Sequence, residues 1–201
     1  MTTEKKLVAA AAALLDSGGE EAVTLRAVGQ AAGVSHNAPY KHFKNRDALL
    51  GAVAAADLAE MAAALKQVRQ SSAKPAKKLT QALKGVIDYN AKHPARYQLL
   101  LNDPRFGTLE GDLKQAAHSY FDEFDSIVRG CQAAGELPDV PHITLSGLLF
   151  ATVHGLISLE ASGRMKREKG LAGVVPSLKL MVKLLALEAV SARELGPYRS
   201  A

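Results

Sequence analysis

Apolar residues recur along this chain with the spacing of amphipathic helices. Leu7, Ala11 and Leu15 are one example, since steps of four residues place them on one helix face. No segment shows the strict apolar/polar alternation of a half-buried strand, and no repeat of fixed period is present. The pattern therefore predicts an all-α protein of about nine helices. They cover about residues 3–17, 25–32, 36–43, 46–71, 76–93, 95–102, 109–134, 142–161 and 174–194.

Residues suited to capping stand at the ends of several predicted helices. Thr2 or Thr3 can cap the first helix, and Gly18 or Gly19 can end it. Asn45 can cap the fourth. Two lysines and an apolar run make the first segment resemble a secretory signal. Because its apolar residues share one face, an amphipathic helix is the stronger prediction.

The length of the predicted helices changes near residue 45. Residues 1–45 contain three short helices with small residues at their turns, whereas residues 46–201 contain six longer ones. We therefore expect a small compact unit, 1–45, mounted on a larger helical bundle, 46–201. Apolar residues make up 48% of the chain, which is ample for such a core.

Composition and charge narrow the classes of function. The net charge of +5 suits a polyanionic partner. The single cysteine, Cys131, excludes an intramolecular disulfide and a multi-cysteine zinc site, and it fits a cytoplasmic protein. No run approaches the ~18 apolar residues of a membrane span, so no membrane association is expected. Metal-ligand spacing, a glycine-rich phosphate loop and a nucleophile elbow are not evident. Neither an enzyme nor a bound cofactor is expected.

The segment LRAVGQAAGVSHNAPYKHF, residues 25–43, has the pattern of a helix-turn-helix. Two short helices must cross closely for the second to enter a major groove, and Gly29 supplies the small residue at the crossing. Gly33 suits a turn with positive φ. Val34 fills the angle between the helices, and Ser35 is expected to cap the second.

Polar and cationic residues cluster on the second helix of this motif. His36, Asn37, Tyr40 and Lys41 are expected to face outward, and all can form hydrogen bonds. Residues 36–46 carry three Lys/Arg and no acidic residue, whereas the first 50 residues together carry a net charge of only +1. Positive charge concentrated in this way suits contact with phosphates.

The longer segment TLRAVGQAAGVSHNAPYKHFKNRDALLGAV closely resembles the DNA-binding region of TetR-type transcriptional regulators. The resemblance implies a three-helix DNA-binding domain, a helical ligand-binding and dimerisation domain, and repression relieved by a small molecule. Gly29, where the family usually has Ala, and Pro39 are departures from the family pattern. The resemblance also implies roles for individual residues. Thr24, Arg26, Tyr40, His42, Lys44 and Arg46 would hold phosphates, His36, Asn37 and Lys41 would face base edges, and Ser35 would lie among them.

For His42, packing against Phe43 is the alternative to a phosphate contact. Asn37 is the strongest candidate for direct readout, because an Asn side chain can pair bidentately with adenine.

The resemblance continues more weakly into the larger domain. KHPARYQLLLNDPRF, residues 92–106, and ATVHGLISLE, residues 151–160, resemble the TetR subgroup named for a Trp-His-Gly motif, with Val153 in the Trp position. Aromatic residues and histidines there are expected either to line an effector cavity or to form the core. These candidates are Tyr97, Phe106, His118, Phe121, Phe124, Phe150 and His154.

The helices predicted at 142–161 and 174–194 carry more apolar residues than one face requires. A four-helix bundle, two helices from each of two subunits, accounts for this surplus, and burial within one subunit accounts for only part of it. The residues are Leu145, Leu148, Leu149, Val153, Leu156, Leu178, Met181, Val182, Leu185 and Leu187. The main hypothesis is a homodimeric repressor on a palindromic operator of double-stranded DNA. The alternative is a regulator controlled by a partner protein or by its own abundance.

Overall fold

Helices dominate the computed structural model, which describes residues 1–102, 111–165, 168 and 170–195, the last five by their backbone alone. Within these ranges there are nine α-helices and no strand, which confirms the predicted fold class. The helices are α1 (Thr3–Gly18), α2 (Leu25–Ala31), α3 (Ala38–His42), α4 (Arg46–Gln70), α5 (Pro75–Lys92), α6 (Pro94–Asn102), α7 (Gly111–Ala133), α8 (His142–Ala161) and α9 (Val174–Leu195), with a short 3-10 turn at Glu20–Ala22.

The predicted helix caps are present at two helix starts. The Thr2 hydroxyl accepts a hydrogen bond from the Lys5 amide at 3.3 Å, and the Asn45 side chain accepts one from the Ala48 amide at 2.9 Å. Gly19 follows α1 with a φ of 68°, a backbone conformation that favours glycine. These local bonds explain why the helix starts could be placed from the sequence.

The chain packs into two compact units. Among the described residues, unit 1 contains 1–64, 89–102 and 111–121, and unit 2 contains 65–88, 122–165, 168 and 170–195. The predicted division near residue 45, into a small compact unit and a larger helical bundle, stays a prediction.

Unit 1 has a continuous apolar core. α1 contributes Leu7, Ala11 and Leu15, none of which is more than 1% exposed. Their burial shows that the first segment is an amphipathic helix packed on its neighbours. The remaining core residues come from the segment after α1, from α2, α4 and α6, and from the residue after α3: Val23, Val28, Phe43, Leu49, Leu50, Val53 and Leu99.

A buried polar cluster lies between α7 and α8 in unit 2. Asp125 is 6% exposed and accepts hydrogen bonds from the Ser146 hydroxyl at 2.8 Å and from His142 Nδ1 at 2.9 Å. Burial raises the pKa of Asp125, but the bonds from His142 and Ser146 and the charge of Arg129 outweigh it and hold the pKa below its usual value. The cluster therefore fixes the first turns of α8 against α7.

Two of the described helices, α4 and α8, are long and apolar enough to cross a membrane by length and composition alone. This departs from the expectation that no segment approaches such a span. That expectation counted runs of apolar residues, whereas length and mean hydropathy also admit an alanine-rich helix such as α4. Core helices satisfy it too, and α4 places Leu49, Leu50 and Val53 in the core of unit 1.

Candidate nucleic-acid interface

The two helices of the predicted motif meet at Gly29 and Pro39. Both residues are buried, and a Cβ atom added to Gly29 would lie 2.9 Å from Pro39 Cγ. The absence of a side chain at Gly29 therefore gives Pro39 its place against α2. The two departures from the family pattern are in contact and form a single packing feature.

The turn between α2 and α3 has the predicted geometry. Gly33 has a φ of 64°, and the Val34 amide donates to the Gly29 carbonyl at 3.1 Å. Val34 packs against the core of unit 1, as expected.

The expectation that Ser35 caps α3 was wrong. α3 begins at Ala38, its N-cap position is Asn37, and no side chain caps it. Pro39 is the second residue of the helix and has no N–H for a cap to bind. Ser35 instead accepts the Ala38 amide through its main-chain carbonyl at 2.9 Å.

Most of the predicted DNA-contacting side chains lie on one exposed stretch around α3. Tyr40 is 55% exposed, and its ring contacts that of His36 edge-on, with centroids 6.1 Å apart. His42 is exposed although its ring also lies 6.5 Å from that of Phe43, so packing and phosphate contact are compatible. The exposed members of the set are Thr24, Arg26, Ser35, His36, Asn37, Tyr40, Lys41, His42 and Lys44.

Thr24 and Arg46 also have partners within the protein. The Thr24 hydroxyl accepts the Ala27 amide at 3.1 Å and so caps α2. Arg46 Nε donates to the Val23 carbonyl at 2.7 Å, and the guanidinium also bonds the Glu20 carbonyl and lies 3.0 Å from the Glu20 carboxylate. Arg46 therefore ties the start of α4 to the turn after α1, and its predicted phosphate contact would have to share the guanidinium.

The predicted effector-binding residues divide between the two units. In unit 2, the Phe150 ring lies 4.2 Å from the His154 ring and 6.4 Å from the Phe124 ring, centroid to centroid. Burial lowers the pKa of His154 to about 4, so its ring is neutral near pH 7. This group is named the aromatic cluster below.

The remaining candidates, apart from one, belong to unit 1. Tyr97 is buried near Tyr120, and burial raises the pKa of both phenols. Phe121 is half-buried and His118 is exposed. Phe106 lies outside the described residues.

Family comparisons agree with this architecture. Residues 79–183 match the family model described as "Tetracyclin repressor-like, C-terminal domain", and residues 7–53 match that of "Bacterial regulatory proteins, tetR family". The chain belongs to the TetR family. It is a DNA-binding transcriptional regulator, and members of this non-enzymatic family bind small-molecule effectors and commonly dimerise. The Trp-His-Gly subgroup stays a prediction.

Solved structures share this fold over nearly their whole length. A protein of unknown function from Rhodococcus sp. RHA1 is 25% identical, with a TM-score of 0.77 over 94% of this chain and 95% of that one. The transcriptional regulator FadR from Bacillus subtilis, solved with stearoyl-CoA, is 16% identical, with a TM-score of 0.68 over 90% of this chain and 97% of that one. RolR, solved with resorcinol, is 17% identical, with a TM-score of 0.66 over 96% and 91%. No similar sequence is found among curated proteins.

A groove of about 1570 Å³ lies in unit 1 of the regulator. Its lining includes small residues of α1 and α4, such as Ala9, Ala52 and Ala56, and several carboxylates. None of the predicted effector-binding residues lines it. The effector-binding residues stay a prediction, and the aromatic cluster has the apolar chemistry that is usual in ligand pockets.

The residues missed from the sequence form a polar network in unit 1. Asp16, Asp57, Tyr89, His93 and Arg96 come from four helices and the residue between α5 and α6. Asp57 offered a usable signal, since a carboxylate within an alanine-rich helix face requires a partner when it is buried. Its partners could not be identified, because they lie more than thirty residues away in sequence.

Gly29→Ala should reveal the contact between α2 and α3. Alanine favours a helix over glycine by about 1 kcal/mol, but the new methyl meets the Pro39 ring, and overpacking costs about 1–3 kcal/mol. We expect the substitution to destabilise the regulator, and to stabilise it by about 1 kcal/mol once Pro39→Ala is also present. Urea unfolding of the four chains measures the coupling. Additive effects of the two substitutions would show that the contact does not matter.

Burial of a neutral His154 should make stability depend on pH. The pKa of His154 is lowered from 6.5 to about 4 in the folded chain, so the unfolded chain binds more protons between these values. Stability should fall as pH drops through this window, by up to about 3 kcal/mol. Urea unfolding at pH 4.5 and at pH 7 measures the difference in the free energy of unfolding, and His154→Phe should remove the part of that difference due to His154. The substitution of the exposed His118, His118→Gln, is the control. An unchanged pH dependence in His154→Phe would contradict the burial argument.

Proposed function

We propose that the regulator is a cytoplasmic homodimeric repressor that leaves a palindromic operator when a small apolar ligand binds its helical domain. The observation that carries this proposal is the exposed polar and basic stretch around α3. The close contact of Gly29 and Pro39 holds that stretch against α2.

DNA contact is supported by the chemistry of the exposed side chains. Lys41 and Lys44 supply charge for phosphates, and Asn37 supplies an amide for a base edge. Asn37 makes no side-chain capping bond to α3, so its amide is available to DNA. We propose that Asn37 reads the base and that Lys44 holds the backbone.

Dimerisation is supported by exposed apolar side chains on α8 and α9. Eight of the twelve large apolar residues that are exposed in the described chain lie on these two helices. In α9, Leu180, Leu184 and Leu187 are each more than half exposed and recur at helical spacing. In α8, Leu148 is 54% exposed. Exposed apolar surface of this kind is typical of an interface between chains.

The side chains in this proposed interface differ in part from those expected from the sequence. Leu145, Leu149, Val153 and Leu178 are buried within the chain, so burial in one subunit accounts for part of the apolar surplus. Gly155 lies on the exposed side of α8, and a Cβ atom added there would meet nothing within 4 Å. The single chain does not require glycine at this position, whereas a closely packed partner helix would.

The aromatic cluster supports an apolar effector. Phe124, Phe150 and a neutral His154 offer aromatic surface together with one imidazole, a group that can form hydrogen bonds. Neighbours in fold were solved with stearoyl-CoA and with resorcinol, so this fold accommodates ligands with acyl or aromatic groups. Binding there must favour a dimer state whose two α3 helices no longer match successive major grooves.

A gel shift on DNA flanking the regulator's own coding sequence tests DNA binding. We expect a specific complex that an excess of unrelated DNA does not remove. A confirmed dimer that binds no such fragment specifically would contradict the proposal.

A thermal-shift panel of acyl-CoAs and phenols tests effector binding. At least one compound should stabilise the wild-type chain and release the DNA, and Phe150→Ala should weaken both effects. Lys84→Ala, at an exposed lysine of α5 outside the candidate effector residues, serves as the control. If no compound stabilises the chain while DNA still binds, control by a partner protein or by abundance is the better account.

A further inference from the structure

Arg96 holds two carboxylates from different helices at once. Its Nε and one terminal nitrogen donate to the two oxygens of Asp16 at 3.0 and 2.9 Å, and the other terminal nitrogen donates to Asp57 at 2.7 Å. The Arg96 side chain is 12% exposed and that of Asp57 is 6% exposed. A planar guanidinium can satisfy both partners only when α1, α4 and α6 keep one mutual arrangement.

Two further residues complete the bonding of these carboxylates. The Tyr89 hydroxyl donates to Asp57 at 2.8 Å, and His93 Nδ1 lies 2.8 Å from Asp16. Both oxygens of each carboxylate therefore have partners. The Asp16 side chain is 29% exposed, but breaking the contact with Asp57 leaves a charged group poorly paired in a largely buried place, so arrangements that lack it are unfavourable.

The network joins the segments that the two family models cover. Asp16 lies within residues 7–53, which match the DNA-binding model, and Tyr89, His93 and Arg96 lie within residues 79–183, which match the C-terminal model. Asp57 lies on α4, the helix that begins directly after α3 and the short turn following it. The hydrogen bonds of Arg96 to Asp16 and Asp57 therefore link the two segments in addition to the covalent chain.

We propose that Arg96 is a positioning residue that couples the DNA-binding helices to the end of α5 and to α6. This inference rests on the proposed function. All hydrogen bonds of the network are formed, and the network is closed, when the operator is bound. A shift of α5 or α6 that breaks these bonds removes the contact by which Arg96 holds α1. Because coupling between sites is reciprocal, operator binding must in turn stabilise the closed network around residues 89–102.

Hydrogen exchange on the full-length dimer tests this coupling, with and without the operator duplex found by gel shift. In the wild-type chain we expect operator to slow exchange at residues 89–102 by at least about tenfold. Arg96→Lys keeps the charge but lacks the planar fork that bonds both oxygens of Asp16 while reaching Asp57, so the slowing should fall below about twofold. A purely structural role would change exchange in the free and DNA-bound chains alike and leave their ratio unaltered.

Matched variants keep the test decisive. Lys84→Met removes an exposed ion pair with Asp88 on α5 and should leave the operator-induced slowing as in the wild type. If Arg96→Lys does not fold, Asp16→Asn leaves one neutral amide oxygen in place of the two charged oxygens that Arg96 bonds, so it weakens the link to α1 while keeping the Asp57 contact. The slowing should again fall below about twofold. The measured quantity is the ratio of exchange rates in the free and operator-bound chains. A wild-type ratio in the folded Arg96→Lys chain would overturn the coupling role, and so would a wild-type ratio in Asp16→Asn where that chain is used instead. An absence of slowing in the wild-type chain would also overturn it. Absence of any specific operator complex would instead defeat the proposed function.

Discussion

Leu148→Glu and Leu184→Glu, combined in one chain, are expected to convert the regulator to a monomer and to lower its operator affinity by at least about 100-fold. Both leucines are more than half exposed in the single chain, so the substitutions leave its own core intact. In a dimer they would bury four uncompensated carboxylates, and an unpaired buried charge costs several kcal/mol. A monomer presents one α3 and loses the contacts to the second half-site. Analytical ultracentrifugation and a gel shift measure the two consequences.

Leu171→Glu is the control for these substitutions. Leu171 is 47% exposed but precedes α9, so the same chemical change lies off the proposed interface helices. We expect this chain to remain dimeric with wild-type affinity. If the double variant also remained a dimer with wild-type affinity, the interface would have to lie elsewhere.

Asn37→Ala and Lys44→Ala are expected to weaken DNA binding in different ways. Loss of the Asn37 amide should remove about 1–3 kcal/mol of discrimination at one base pair while the salt dependence stays nearly unchanged. Loss of the Lys44 charge should weaken binding to all DNA sequences similarly. It should also lower by about one the slope of the logarithm of the binding constant against that of the salt concentration. Both side chains are exposed, so neither change should disturb the fold.

Fluorescence anisotropy at several salt concentrations distinguishes the two roles, with operator and single-base variants as ligands. Lys84→Ala, on the exposed face of α5, is the control for loss of a lysine. If Asn37→Ala and Lys44→Ala changed specificity and salt slope equally, the division into base readout and phosphate contact would be wrong.

The helices and the turn of the DNA-binding motif could be predicted because their determinants are local. Periodic apolar residues define the face that α1 buries, and Asn45 lies three residues before the amide that it caps. Gly33 was predictable for the same reason, since its positive φ is a property of the turn itself. The predicted cap at Ser35 failed because Pro39 has no N–H to donate to the Ser35 carbonyl, which would be the first bond of a helix that starts there, so α3 begins at Ala38 instead.

Contacts between distant segments could not be read in the same way. Arg96 meets Asp16 across eighty residues of sequence, and no periodicity encodes that pairing. Arg46 illustrates the same difficulty, because a basic residue near α3 suggests phosphate contact until its bonds to the turn after α1 are seen. The aromatic cluster was anticipated in part, since Phe150 and His154 stand one helical turn apart while Phe124 comes from another helix.

Hydroxyl-radical footprinting of the wild-type dimer on its operator shows whether two α3 helices bind symmetric half-sites. We expect two protected half-sites related by two-fold symmetry, with centres one helical turn apart, about 34–36 Å, or a multiple of it. Asn37→Ala should weaken protection at symmetric positions in both halves. A confirmed dimer that protects no defined sequence, or protects one that Asn37→Ala and Lys44→Ala leave unaltered, would mean that the stretch around α3 does not read the operator.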